Sequence, residues 1–311
     1  KLVATGSISS PLKNYQFPDV LRKMEFKVND FLGFEKIEKK YKKNCDVFAL
    51  IIEPYSASTT TAVNEKFLKK IVSFCKRNKI ILIYDEIYTG WCKTGTTFYF
   101  QRYKNIYPDI LTTSKSLGGG KASIAACVMN KKIFNKVYGS ISDATLHSTT
   151  FNGFGEECVT AIEAIKILKK EKFNHKAKMI EKHINKRFNK LNEDHPSFNM
   201  KLRGAGGIQK IYFDLSKKSY ELSIKKNFKK KYKNLFFLRK RLFEIALIDT
   251  LYIKFNIFAF HSLNSLVISP SLIVQKKQID FVFFSLEKIF QLEPESIIKN
   301  YLKRQDKKLI K

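Results

Sequence analysis

Long apolar runs, paired cysteines and acidic residues are what this sequence has least of, and each shortage narrows what the chain can be. No window approaches the ~18 uninterrupted apolar residues that a membrane-spanning helix needs. The most apolar stretches, Val47–Ile52 and Ile80–Tyr84, are only strand-length, so no membrane partner is expected. Lys1–Pro11 is Ser-rich and has no apolar h-region of the secretory kind; since residue 1 is Lys rather than Met, the chain is expected to be processed or a fragment. Its five cysteines, at 45, 75, 92, 127 and 158, are odd in number, widely spaced and without a C-x-x-C pair. In a chain this long they read as reduced thiols, which points to a cytoplasmic location. The five histidines do not cluster with them, so no metal site is expected.

Acidic residues number 28 against 58 basic ones, for a formal charge of +30. Such a balance suggests nucleic-acid binding. The lysines, however, are spread over the whole length (39–43, 169–172, 225–233, 307–311), and no zinc spacing, RNP-like aromatic motif or heptad-linked basic region accompanies them. The charge is read as the bias of a chain rich in Lys, Ile, Asn and Phe. Weak salt-sensitive polyanion binding is expected, and no specific nucleic-acid partner.

With 311 residues, 44% of them hydrophobic, the chain can bury substantial cores. Its first half alternates β-branched runs with helical stripes. Strands are expected at Val47–Ile52, Ile80–Tyr84, Asp109–Thr113 and Ser123–Met129, and a helix at Asn64–Arg77. Strands separated by helices, with polar residues at the exits, predict an α/β domain with a mostly parallel sheet and ligands beyond the strands' carboxyl ends. Helices are expected at Glu156–Lys170 and Asn174–Leu191. Beyond them a mixed pattern includes a strand at Ile208–Phe213, a basic helix at Lys225–Ala246, a strand near Ser265–Ile268 and a closing helix at Lys276–Phe290. This reads as a smaller α+β C-terminal domain, with residues 1–175 forming the large domain and 176–311 the small one.

Three places at strand exits and loops carry chemistry-bearing residues: Asp85, Lys115 followed by Gly118-Gly119-Gly120, and the loop His147–Gly155. Pyridoxal-phosphate chemistry needs a lysine amine for the aldehyde, a carboxylate that keeps the pyridine nitrogen protonated, and several donors for the phosphate. Asp85 ends an apolar strand, and Lys115 follows the next one, beside glycines that permit close backbone approach. Taken singly, each has a plainer reading. Asp-Glu after a strand is often a helix N-cap pair, a lysine is often a solvated surface group, and a triple glycine is often only a loop.

The combination is more specific. Ile52-Glu53-Pro54, the run Tyr84-Asp85-Glu86-Ile87-Tyr88-Thr89-Gly90-Trp91-Cys92-Lys93-Thr94-Gly95, and the run Pro108-Asp109-Ile110-Leu111-Thr112-Thr113-Ser114-Lys115-Ser116-Leu117-Gly118-Gly119-Gly120 together resemble the central signature of class III aminotransferases. His147-Ser148-Thr149-Thr150-Phe151-Asn152-Gly153 and Leu202-Arg203-Gly204-Ala205-Gly206-Gly207 resemble the family's next two motifs, in order, over roughly residues 45–290. The resemblance implies a fold-type-I PLP transferase architecture and the cofactor pyridoxal 5'-phosphate (PLP). Lys115 would carry the cofactor and shuttle the proton, Asp85 would pair with the pyridine nitrogen, and Tyr88 would sit near the ring's phenolic oxygen. Thr150 would donate to the phosphate from a neighbouring subunit, so a homodimer is implied. The activity implied is transfer of an amino group from a small-molecule amino donor to a keto or aldehyde acceptor. An aminomutase or decarboxylase of the same family, or a catalytically incomplete fragment, stands as the alternative.

Two departures bear on substrate. Ser56-Ala57-Ser58-Thr59-Thr60 replaces the family's Gln-Gly-Glu-Gly-like run, and Val267 stands near the place of an arginine that clamps a carboxylate. Arg203 remains, as a substrate contact or as a structural charge beside a glycine turn. An amino sugar, a diamine or another amine that is not an α-amino acid is the expected substrate class. The family's N-terminal phosphate loop has no counterpart in the sequence, so the large domain is expected to be incomplete, and these 311 residues alone are expected to bind cofactor poorly and to be inactive.

Overall fold

The computed structural model describes residues 2–5, 23–44, 47–145, 150–215, 241–262 and 264–309. The chain divides into two compact units, Lys1–Asn174 and His175–Lys311. The first unit opens with β1 (Leu2–Thr5), β2 (Lys23–Phe26), α1 (Phe31–Asn44) and β3 (Ala49–Ile52). A hairpin of β4 (Tyr55–Ser56) and β5 (Thr61–Ala62) leads to α2 (Glu65–Asn78), β6 (Ile81–Asp85), β7 (Ile110–Thr113) and β8 (Ala126–Met129). Two helices follow, α3 (Lys131–Val137) and α4 (Gly155–Lys170). Six strands form one sheet in the order β2-β1-β3-β6-β7-β8. All neighbours are parallel except β8, which runs antiparallel to β7.

Helix α2 shows how local sequence sets this layer. The Asn64 side chain accepts from the N–H groups of Lys66 and Phe67, capping the N-terminus. Glu65 lies in the first turn and Lys76 and Arg77 in the last, matching the helix dipole, and Lys79 closes the helix with φ +54°. Phe67, Leu68, Ile71, Phe74 and Cys75 recur at helical spacing and are buried. They share one core with Leu50, Ile52, Leu82, Tyr84 and Leu111, the alternate positions that strands β3, β6 and β7 turn to one face. Phe34 of α1 meets Phe67 and Phe74 edge-on, at 5.8 and 5.5 Å between centroids. This packing fixes the register of β6 against β7, which pairs Asp85 with Thr112 and brings both strand exits to one edge.

The second unit contains most of α5 (Phe173–Asp194), then β9 (Met200–Ala205), β10 (Ile208–Phe213), α6 (Leu242–Phe255), β11 (Phe260–Ser262), β12 (Ser265–Ile268), α7 (Lys276–Ile289) and α8 (Pro294–Leu309). Its sheet is antiparallel, in the order β11-β12-β10-β9. The β9–β10 turn passes through Gly206, whose N–H donates to Glu181 Oε2 at 2.9 Å. Phe198 stacks on Phe290 at 4.0 Å and Phe213 meets Phe243 edge-on at 5.0 Å, forming an aromatic core. His183 and Arg187 of α5 reach Asp280 of α7 at 2.8 and 3.4 Å, clasping the two helices.

Elements differ from the expectation where one signal masked another. Helix α1 lies under the 39–43 lysine run, although Phe34, Ile37 and Tyr41 mark its inner face. Strands β1 and β2 are four residues each, too short for a periodicity. The expected basic helix at 225–246 falls largely outside the described residues; the helix present runs on to Phe255, where Asn256 at φ +53° ends it. Helix α8, opened by Pro294, follows the helix expected to close the chain.

One side chain in the second unit stores a pH dependence. Glu244 is 3% exposed, and among the described residues its Oε2 has no hydrogen-bond partner. Burial raises its carboxyl to about 7, with Arg241 pulling the other way. A raised folded-state pKa contributes stability that is full at pH 4 and lost as pH climbs through about 7. Glu244→Gln should therefore leave thermal stability nearly unchanged at pH 4 and raise it by about 2–3 kcal/mol at pH 8; denaturant melts at both pH values check this.

Candidate active site

Asp85 is the last residue of β6, and its half-buried carboxylate accepts the N–H of Ile87 through Oδ1 at 3.0 Å. Burial raises the Asp85 pKa, while the Ile87 N–H and the positive charge of Lys115 act against that rise. The carboxylate thus sits in the electrostatic field of Lys115. Two residues separate Lys115 from Thr112, the β7 partner of Asp85, so the parallel register delivers acid and amine to the same sheet edge. Lys115 Nζ lies 4.5 Å from the centroid of the Tyr88 ring, a cation–π distance.

The Lys115 backbone is held in an uncommon conformation. Its φ is +44°, which for a residue with a side chain costs about 1–3 kcal/mol. A tight turn over Lys115–Gly118 maintains it. The Leu117 N–H donates to the Ser114 carbonyl at 3.0 Å, and the Ser114 hydroxyl donates to the Ile124 carbonyl at 2.7 Å. Gly119, at φ +61°, lets α4 close on this turn, because a Cβ there would stand 2.9 Å from that of Ala164.

Glu86, beside Asp85, is fully buried and does a different task. Its carboxylate accepts the Thr89 hydroxyl and the N–H groups of Tyr99 and Phe100, at 2.9 and 2.7 Å for the latter two. Burial pushes its pKa up and these three donors pull it back. It pins the 87–100 loop that bears Tyr88. Trp91 Nε1 donates to Thr113 Oγ1 at 2.8 Å, tying the same loop to the β7 exit just before Lys115. In the sequence Glu86 reads only as half of an Asp-Glu pair and Trp91 as one indole in a run of turn residues, with nothing to mark either as a support of the site.

Asp85 and Tyr88 thus both lie near Lys115. Thr150 stands apart on an exposed turn before α4, and among the described residues it makes no hydrogen bond to these three. His147, Ser148 and Thr149 lie outside the described residues. Of the expected substrate contacts, Arg203 holds its guanidinium 5.1 Å from the Tyr212 ring, and Val267 pairs with Lys210 across the small sheet.

A carboxylate with one backbone donor has acceptor capacity left for a cationic N–H, and an exposed lysine amine beside it is accessible to an aldehyde. The residues present thus fit the pyridine and aldehyde ends of PLP.

A family model described as "Aminotransferase class-III" matches residues 6–290. Over 185 residues the chain is 32% identical to adenosylmethionine-8-amino-7-oxononanoate aminotransferase of Buchnera aphidicola subsp. Baizongia pistaciae, covering 59% of this chain and 42% of that protein. Over 180 residues it is 29% identical to putrescine aminotransferase of Pectobacterium atrosepticum, covering 58% of this chain and 38% of that protein. The match thus spans about two-fifths of the length of these curated relatives. Among solved structures, a Bacillus anthracis aminotransferase superposes with a TM-score of 0.75 at 16% identity, covering 94% of this chain and 69% of that one. An amine transaminase from an uncultivated Pseudomonas species, solved with PLP bound, gives 0.73 at 16% identity with the same coverage. At such identities the likeness is one of fold.

If burial opposes ionisation of Asp85, its removal must stabilise the cofactor-free chain. The sign follows from the raised pKa: stability is full at low pH and is lost as pH rises above the ordinary carboxylate range. Asp85→Asn, whose Oδ1 can still accept from Ile87, should melt a few degrees higher than the parent at pH 7 and at the same temperature near pH 3.

Proposed function

Because the chain belongs to the class III aminotransferase family, we propose that Lys115 and Asp85 form the cofactor site of a PLP-dependent transaminase acting between a small-molecule amino donor and a keto or aldehyde acceptor. The fold is that of fold-type-I PLP-dependent aminotransferases. The observation that carries the reading is the Asp85 carboxylate in the field of the Lys115 amine at one sheet edge.

Bound there, PLP supplies an electron sink that weakens a C–H bond beside the substrate nitrogen. The residues do the rest. Asp85 holds the proton on the pyridine nitrogen, and burial makes that charge pair stronger than it would be in water. Lys115 Nζ would hold the cofactor through its aldehyde and would take and return the substrate proton. Tyr88 gives the ammonium an aromatic face to rest on and offers its hydroxyl to the ring's phenolic oxygen. Thr150 donates to the phosphate across a homodimer interface. Exposed Phe151, Val159 and Ile162 around that turn and α4 support burial by a second copy.

The absence of an arginine at 267 supports a donor without an α-carboxylate, and one curated relative is named for putrescine, a diamine. The free state of Cys75, Cys92, Cys127 and Cys158 supports a cytoplasmic location, and among the described residues no helix is long and apolar enough to cross a membrane. In a protein that carries this chain together with the family's N-terminal phosphate loop, Lys115→Ala should abolish the visible band of lysine-bound cofactor and lower amine release by about 10³-fold or more, whereas Lys121→Ala should leave both intact. A band that survives in Lys115→Ala contradicts the assignment.

A further inference from the structure

Outside the site described, a cavity opens where α6, α7 and α8 converge in the second unit. Its volume is about 100 Å³, room for a small tetrahedral anion and its waters, since one bound water needs only on the order of 10–15 Å³ of such space. Lys254, Lys288 and Arg304 line it, together with Thr250 and Asn300.

The charges are arranged in depth. Lys254, Lys288 and Asn300 are exposed at the rim. Arg304 lies further in, with Nη2 held by Asp249 Oδ2 at 2.7 Å and by the Thr250 hydroxyl oxygen at 3.2 Å. That clamp fixes the guanidinium but leaves its Nε buried and without a hydrogen-bond partner among the described residues. Thr250 in turn donates to the Ala246 carbonyl at 2.7 Å, so the clamp is rigid.

Lysines in the last turns of α6 and α7 complement their helix dipoles. This accounts for each lysine singly, but not for their meeting a third cation, Arg304 of a third helix, around one cavity. Three cations less the Asp249 carboxylate leave two positive charges facing one small cavity. A phosphate group carries about −1.5 to −2 at neutral pH, which matches that charge.

We propose that this cavity binds a small phosphate-bearing anion, free phosphate or a phosphate monoester, with the Arg304 guanidinium as the inner cation and Lys254 and Lys288 at the rim. Nothing in the proposed transamination uses this cavity, so the two readings stand or fall separately.

The test titrates the full chain calorimetrically with inorganic phosphate and, separately, with methyl phosphate. Sodium chloride holds ionic strength constant, since screening alone alters so basic a protein. The expected result is one saturable site for at least one of the two, weakened about tenfold or more in Lys254→Gln/Lys288→Gln, as loss of charge-assisted bonds predicts. Both lysines are at the rim, so the variant keeps the Arg304 clamp; matching melting curves confirm that it folds. Phosphate held elsewhere on the chain is common to both proteins and cancels in the comparison. Whichever ligand binds more tightly identifies the source. No saturable binding, or equal affinity in the double variant, overturns the proposal.

Discussion

The attraction between a half-buried carboxylate and a lysine amine at neighbouring strand ends is the contact on which the functional reading depends. Position 85 ends one parallel strand and position 115 follows the next by two residues, so parallel pairing with Asp85 opposite Thr112 delivers both to one edge. A single-residue slip would turn every side chain of β6 to the opposite face. The core that prevents such a slip is apolar and far simpler than the site: Leu82 and Tyr84 buried against Phe67 and Ile71. Packing thus supplies the precision, and the polar residues exploit it.

The arrangement opposes the chain's own stability in two places. Burial opposes ionisation of Asp85, and Lys115 is held at positive φ. Both are of the kind expected where function rather than folding selects the residue. Neighbouring groups offset the cost. Glu86 satisfies three donors from inside the protein and makes the loop a fixed wall, and the Trp91–Thr113 bond ties that wall to the second strand exit. The two adjacent acids are therefore alike in sequence and opposite in use: one is saturated and structural, the other keeps capacity for a cationic partner.

Much of this was legible beforehand. Alternation of VFALII and IILIY runs with an amphipathic stripe at 67–75 gave the parallel layer, because period-two and period-3.6 patterns are set by backbone geometry alone. The motif order around Asp85 and Lys115 pointed to the family that the comparison recovers. What stayed hidden depends on distances that no pattern encodes. Glu86 looked like half of an acidic pair, and only burial distinguishes it from Asp85. Helix α1 was masked by its own lysines, and the Arg304 cavity joins three helices across residues 250–304, with no local spacing to betray it.

The account is tested most directly by finding which amine carries the cofactor in a chain with 58 basic residues. Hydride reduction after incubation with PLP, followed by peptide mass mapping, reads this out in the parent and in Asp85→Ala. The pyridoxyl mass should fall on Lys115 well ahead of every other lysine, and that preference should vanish without the carboxylate. Label spread over lysines according to their exposure, with Lys115 no more reactive than the rest, would contradict it.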